Sequence, residues 1–225
     1  MLMKTVACSP LVRCFRLEQR LEHATKGNMN DTSSPLKAFK RAPSLGLSMW
    51  HLGSLTTNLA EKKDTNGVFC LVEGALAPGS EPPPHVHTRE DELFYVLEGE
   101  FDVYVGKEAF KLEAGECVFL PRFKPHAFVI RSPWLRVLAL LSPAGLEEAF
   151  RSIDSPAQSL ELPTAPLTNS ADAGKAWHGI KHLKAEDLKQ TVQLLAEYGA
   201  HFLTPDEVAD QLPLYPKTLP PNPGK

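Results

Sequence analysis

The chain has 225 residues, 43% of them hydrophobic, with a net charge of −3. A substantial core can therefore be buried, and the concentrated Lys and Arg that phosphate binding needs are absent, so nucleic acid is not an expected partner. No apolar run reaches the ~18 residues of a membrane span; the longest, residues 135–141, is interrupted by Arg136 and has strand length. Residues 1–28 carry Lys4, Arg13, Arg16 and Arg20 among Leu11, Phe15 and Leu17, which weakly resembles an organelle presequence, with Glu18 and Glu22 out of character. The segment reads as a flexible tail, with Met29 an alternative start, and the cytoplasm is the expected compartment. Of the four cysteines, Cys8, Cys14, Cys70 and Cys117, none forms a CxxC pair. Cys70 and Cys117 lie in apolar strand-like runs and are expected as buried free thiols.

Residues 30–46 are polar, contain Pro35 and Pro43, and read as an extended lead-in. From Trp50 the pattern becomes one of strands. Residues 50–59 alternate loosely, Asn66-Gly67 is a hairpin-type turn, and residues 68–76 form a second strand. A loop with three successive prolines, 82–84, leads into His85-Val86-His87 and then the apolar run that Glu92 opens. Short strands follow at residues 101–105, 109–112, 117–120, 127–130 and 135–141, separated by turn signals. That spacing predicts an all-β sandwich or barrel. Ser142-Pro143 reads as a helix start, with Leu146, Ala149, Phe150 and Ile153 at helical spacing. Residues 154–176 are a loose linker, residues 185–198 a helix closed by Gly199, and Thr204-Pro205-Asp206-Glu207 starts a third helix. The division is a flexible segment 1–46, a barrel 47–142 and a helical, Pro-rich extension 143–225.

His85 and His87 are two apart, so on a strand both imidazoles project to one face, with Cα atoms ~7 Å apart. Glu92 opens the next strand, whose face continues through Phe94 and Val96. Pro121 and Pro125 bracket the approach to His126. Four inward ligands from three strands converge only if the sheet closes on itself. Three neutral nitrogens and a carboxylate suit one divalent first-row ion, Fe, Mn, Co, Ni or Zn, and not calcium, which takes oxygen ligands. Burying these groups without a partner would cost about 1–3 kcal/mol each. His23, His51, His178, His182 and His201 show no comparable pattern and are read as ordinary surface or core histidines.

The stretch from Gly79 to Gly99 runs Gly, five residues, His-x-His, four residues, Glu, six residues, Gly. It resembles the first cupin motif at every fixed position. The stretch from Gly115 through Pro121 to His126 resembles the second; it departs at Phe123, where the family has Gly, and at Ile130, where it has Asn. Neither is a metal ligand in the family. Residues 142–150 and 195–202 also look like the C-terminal extension of small quercetin 2,3-dioxygenase-like cupins. The resemblance implies a cupin jelly-roll β-barrel with a short helical C-terminal extension, binding metal through His85, His87, Glu92 and His126. It implies an oxidoreductase of the quercetinase-like dioxygenase type, acting on an enolic or phenolic small molecule, with Glu92 both ligand and catalytic base. The alternatives are a non-redox isomerase or cyclase, and a metal- and ligand-binding barrel without turnover. Phe94, Val96, Phe101, Val103, Phe119 and Phe128 are candidates for the pocket wall. The expected partner is a small-molecule substrate, with no nucleic acid or membrane; a homodimer is left open.

Overall fold

Alternation of inward apolar and outward polar residues builds two antiparallel sheets, each too apolar on one face to stand in water. The computed structural model describes residues 35–51, 54–161 and 185–217. The presequence-like segment, Met29, Cys8, Cys14, His23, His178, His182, most of the linker and the last Pro-rich residues lie outside that range. The strands in chain order are β1 (Ser48–His51), β2 (Ser54–Ala60), β3 (Cys70–Leu76), β4 (His85–His87), β5 (Asp91–Glu98) and β6 (Glu100–Val105). They continue as β7 (Glu108–Glu113), β8 (Cys117–Leu120), β9 (His126–Ile130), β10 (Leu135–Ser142), β11 (Ser155–Pro156) and β12 (Ala200–Phe202). Among the described residues, the α-helices α1 (Leu146–Ile153), α2 (Ala185–Glu197) and α3 (Pro205–Gln211) all follow the last long strand, β10. One sheet has the order β11-β1-β2-β3-β10-β5-β8 and the other β12-β4-β9-β6-β7. The result is a jelly-roll-like all-β fold.

Between the sheets lies the main core. Phe94, Phe101 and Phe128 meet edge to face, with ring centroids 5.6–6.0 Å apart. Val96, Val103, Ile130, Leu135 and Val137 surround them. Such aromatic contacts add to the burial of large apolar area. A second cluster joins Cys70 and Leu141 of the first sheet to Leu146 and Ala149 of α1 and Leu195 of α2. Leu212, just past α3, covers Tyr104, Ala127 and Val129 on the outer face of the second sheet.

Several local expectations meet their physics here. Asn66 and Gly67 both have positive φ, at 50° and 79°, as the turn requires. Gly199, at φ 97°, closes α2, and its N–H bonds the Ala196 carbonyl at 3.0 Å. Thr204 and Glu207 form a capping box on α3, side chain to backbone N–H in both directions. The predicted helix start at Ser142-Pro143 is not where α1 begins. Ser142 is still paired in β10, opposite Asp91, and α1 starts at Leu146 behind Gly145. The sheet's ladder outcompetes the capping preference of an isolated Ser-Pro pair.

Cys70 is buried, and burial pushes its thiol pKa up, reinforced by Glu147. Cys117 is exposed rather than buried. It and Phe119 take the outward positions of β8, whereas Val118 and Leu120 face the core. Sheet periodicity, not the apolar character of the run, decides this. Among the described residues no helix is long and apolar enough to cross a membrane.

Candidate metal centre and cavity

Strands β4 and β9 are neighbours, and their register sets His85 directly opposite His126. His87, two residues on, projects to the same side, and Glu92 enters from the other sheet as the first inward residue of β5. One donor atom from each of His85, His87, Glu92 and His126 lies within 4.8 Å of every other. All four side chains are buried. The structure thus brings together all four residues that the sequence singled out as ligands.

The loops that carry these residues are tied down. Asp91, facing outward beside Glu92, accepts from the Arg122 backbone N–H at 2.8 Å and its guanidinium at 2.6 Å. That pairing joins the start of β5 to the turn before His126, and Arg122 holds the Asp91 carboxyl at about 2. Phe123 adopts φ 63°, in the left-handed region that glycine favours, and donates its N–H to the His87 carbonyl at 2.7 Å. The turn therefore keeps a glycine-like backbone with a phenylalanine in place, its ring exposed to solvent. On the other edge of β4, β12 pairs Ala200 with His87 and Phe202 with His85. The Phe202 ring packs edge-on to His85, with centroids 6.1 Å apart. The sequence offered no signal for this three-residue strand, which is too short to show a period.

The hydrogen bonds determine which ring nitrogens face inward. His85 Nδ1 lies 2.9 Å from the Pro83 carbonyl, and His126 Nδ1 lies 3.1 Å from the Lys124 carbonyl. A carbonyl only accepts, so both Nδ1 atoms carry the proton and both Nε2 atoms carry a lone pair. Those two Nε2 atoms are 3.1 Å apart, with Glu92 Oε2 3.5 Å from the His126 nitrogen. Two lone pairs aimed at each other across 3.1 Å repel; a shared cation turns the repulsion into coordination. His87 Nδ1 and Glu90 Oε2 are buried without a hydrogen-bond partner among the described residues, 3.8 Å from each other.

Electrostatics point the same way. Burial lowers His85 to about 4 and His87 to about 3. Burial, with His85 and His87 alongside, takes His126 well below the usual histidine range. Burial, helped by the neighbouring Glu90 charge, raises Glu92 to about 8. At neutral pH the three imidazoles are therefore already in the neutral form that ligation needs. The donor set, three imidazole nitrogens and one carboxylate, fits one divalent transition-metal ion.

The cluster opens on a cavity of about 160 Å³. His85, His87 and Glu92 form part of its wall, and Val72, Phe94, Phe128, Leu141, Leu195 and Phe202 supply apolar surface. Of the six residues considered from sequence for a pocket wall, Phe94 and Phe128 line it. Phe101, Val96 and Val103 lie in the core, and Phe119 points to solvent. His201 sits exposed on β12. His51, which has no motif around it, lines the cavity and bonds Asp154.

Residues 72–138 match the family model described as the cupin domain. A quercetin 2,3-dioxygenase of Bacillus subtilis is 25% identical over 131 residues, which are 58% of this chain and 37% of that protein. The chain thus spans less than two fifths of that relative's length. An uncharacterized protein of Streptomyces coelicolor is 30% identical over 91 residues, 40% of this chain and 81% of the relative. Among solved structures, KdgF from a Halomonas species is similar at 26% identity and a TM-score of 0.39, covering 43% of this chain and 84% of its own.

Proposed function

This chain belongs to the cupin superfamily, and from that premise we propose that it is a metal-dependent oxidoreductase of the quercetinase-like dioxygenase type, acting on an enolic or phenolic small molecule. The observation that carries the reading is the convergence of three buried imidazoles and one buried carboxylate at the wall of an apolar cavity. The similarity to a quercetin 2,3-dioxygenase supports the reaction class. His85, His87, Glu92 and His126 would hold one divalent ion, Fe, Mn, Co, Ni or Zn. Such an ion, when bound, supplies Lewis acidity toward a substrate oxygen and, for the redox-active metals, electron transfer.

The protein's own groups do the rest. The carbonyls of Pro83 and Lys124 hold the His85 and His126 rings in the ligating tautomer. Apolar walls from Phe94, Phe128 and Leu141 strip water from a substrate ring. A volume near 160 Å³ is comparable to cavities of about 150 Å³ that hold benzene, so a single ring fits within it. Glu92, the cluster's carboxylate at the cavity wall, is placed to accept the substrate hydroxyl proton on a carboxylate oxygen.

The test is oxygen uptake with flavonols and single-ring enols and phenols, measured as turnover per bound metal in the wild type and in Glu92→Gln. A base role predicts a loss of ~10²–10⁴-fold at full metal occupancy. Wild-type turnover per metal in the variant would remove the base role and leave the ligand role. A product of unchanged mass, without oxygen consumption, would replace the dioxygenase reading with isomerisation.

A further inference from the structure

We propose that His51 and Asp154 form a proton-accepting dyad, a second polar pole of the cavity that binds a hydroxyl group of the ligand. The proposal rests on the reading of this cavity as the substrate site. His51 is the last residue of β1, and Asp154 is the residue that ends α1. They lie 103 residues apart in the chain, and the fold sets His51 Nδ1 2.6 Å from Asp154 Oδ1. The Asp154 side chain is 3% exposed and the His51 side chain 18%. A tilted contact with Phe150, centroids 4.4 Å apart, fixes the plane of the imidazole.

Elimination among the polar side chains of the cavity wall singles out this residue. Ser54 donates to Ser80, and Ser80 donates to the Ala77 carbonyl. Glu81 accepts from the Gly79 and Ile130 backbone N–H groups, one on each oxygen. Thr56 donates to the Met49 carbonyl. Those side chains are engaged in holding loops and strands. Outside the His85, His87 and Glu92 wall, His51 is the imidazole among the lining side chains, and so the one that offers a ligand a basic ring nitrogen.

The chemistry of the pair is directional. Asp154, as carboxylate, accepts the Nδ1–H, so the lone pair sits on Nε2 of a ring that lines the cavity. Burial pushes the Asp154 carboxyl up, and the hydrogen bond from His51 pulls it back toward ionisation, so each partner depends on the other. When a phenolic or enolic hydroxyl meets Nε2, its O–H bond breaks and an Nε2–H bond forms. The oxygen keeps the electron pair, and the imidazolium is balanced by Asp154. The ligand class is a molecule of one ring with a hydroxyl distinct from the oxygen that faces the His–Glu cluster. His51 touches the ligand, and Asp154 is a positioning residue.

The experiment uses the full-length chain, loaded with Zn(II) and after chelation, titrated with para-nitrophenol and with nitrobenzene. The absorption of para-nitrophenol separates its ionised from its neutral form. The wild type should bind it with an increased ionised fraction in both metal states. His51→Gln, which keeps a donor toward Asp154 but removes the base, should bind it roughly tenfold more weakly and in the neutral form. Asp154→Asn should lose the ionised signature as well. Nitrobenzene should bind all three proteins alike. Equal para-nitrophenol affinity in wild type and His51→Gln would overturn the proposal, as would an equal loss for both probes, which marks a purely structural role. Failure of the wild type to bind either probe would overturn it too. Metal content on the same samples reports separately on the metal centre: a wild type that binds no metal yet discriminates the hydroxyl unseats that reading and keeps the dyad.

Discussion

Strands β5 and β9 each pass through two environments. The inward positions of β5 are Glu92, Phe94 and Val96; those of β9 are His126, Phe128 and Ile130. On both strands the first inward residue belongs to the polar cluster and the next two to the aromatic core. Spacing and burial are alike in the two halves, yet the consequences are opposite. The aromatic half lowers the free energy by removing apolar area from water. The polar half desolvates three imidazoles and a carboxylate and leaves two lone pairs facing each other. One half of the barrel holds the other in an arrangement it would not adopt alone, and the comparison can be broken from either side.

The largest effect is expected on the polar side. The His85→Ala/His87→Ala double variant removes two donors and should lower metal affinity by more than the roughly 10–100-fold that changes around the ligands cost. Metal analysis after dialysis checks this, with His201→Ala as a control that keeps full occupancy. Retention of metal by the double variant would sink the assignment. Stability of the metal-free fold should be little changed or raised, because the removed groups were buried at a cost. On the aromatic side, Phe101→Ala should do the reverse. Phe101 is 1% exposed and touches both other rings of the triad. Its truncation should cost about 3–5 kcal/mol by denaturant unfolding, with the metal stoichiometry of the folded protein unchanged.

Acidity gives a finer probe of the same contrast. Without metal, Glu92 titrates near 8, above its unfolded value, so it stabilises the fold at low pH and loses that contribution as pH rises from about 4.5 through 8. His85 and His87 are lowered to about 4 and 3, so their neutral forms stabilise the fold above the ordinary histidine range, and that is lost as pH falls below it. A ligating Glu92 must be ionised while the histidines are neutral already. Binding at pH 7 should therefore release about one proton per ion, and affinity should rise about tenfold per pH unit up to roughly pH 8. Calorimetry in buffers of different ionisation enthalpy counts that proton. Release of none would show that Glu92 stays out of the metal's coordination.

The four cluster residues were legible in the sequence because sheet periodicity converts spacing into direction. His85 and His87 are two apart on one strand, and Glu92 and His126 each begin an apolar run. What was illegible depends on pairings between distant segments. His51 carries no local mark; its meaning comes from Asp154 in the link after α1. β12 is three residues long, and only its ladder with β4 reveals it. Cys117 and Phe119 were misplaced because an apolar run does not state which of its two faces is inward, and at an edge strand the outward face meets water. The start of α1 was displaced for a similar reason: β10 keeps Ser142 in its ladder.

The smallest effect tests the boundary between the two halves. Glu90 is buried, and its Oε2 lies 3.8 Å from His87 Nδ1 without a hydrogen-bond partner among the described residues. Burial raises its pKa, while Arg89 and Arg122 pull it the other way. A divalent ion held by Glu92 alone would leave a net positive charge in a low-dielectric site. Glu90 is placed to offset it through the His87 ring, since a carboxylate near Nδ1 increases the basicity of the ligating nitrogen. Glu90→Gln preserves size and removes the charge, so metal affinity should fall by about tenfold, the lower end of the range for such neighbours. The metal-free protein should at the same time become slightly more stable above neutral pH, because one buried acid no longer has to ionise there. The two measurements, competition for metal with a chelator and unfolding of the metal-free chain at pH 8, should move in opposite directions. Equal metal affinity in Glu90→Gln and wild type would confine the site's electrostatics to the four ligands themselves.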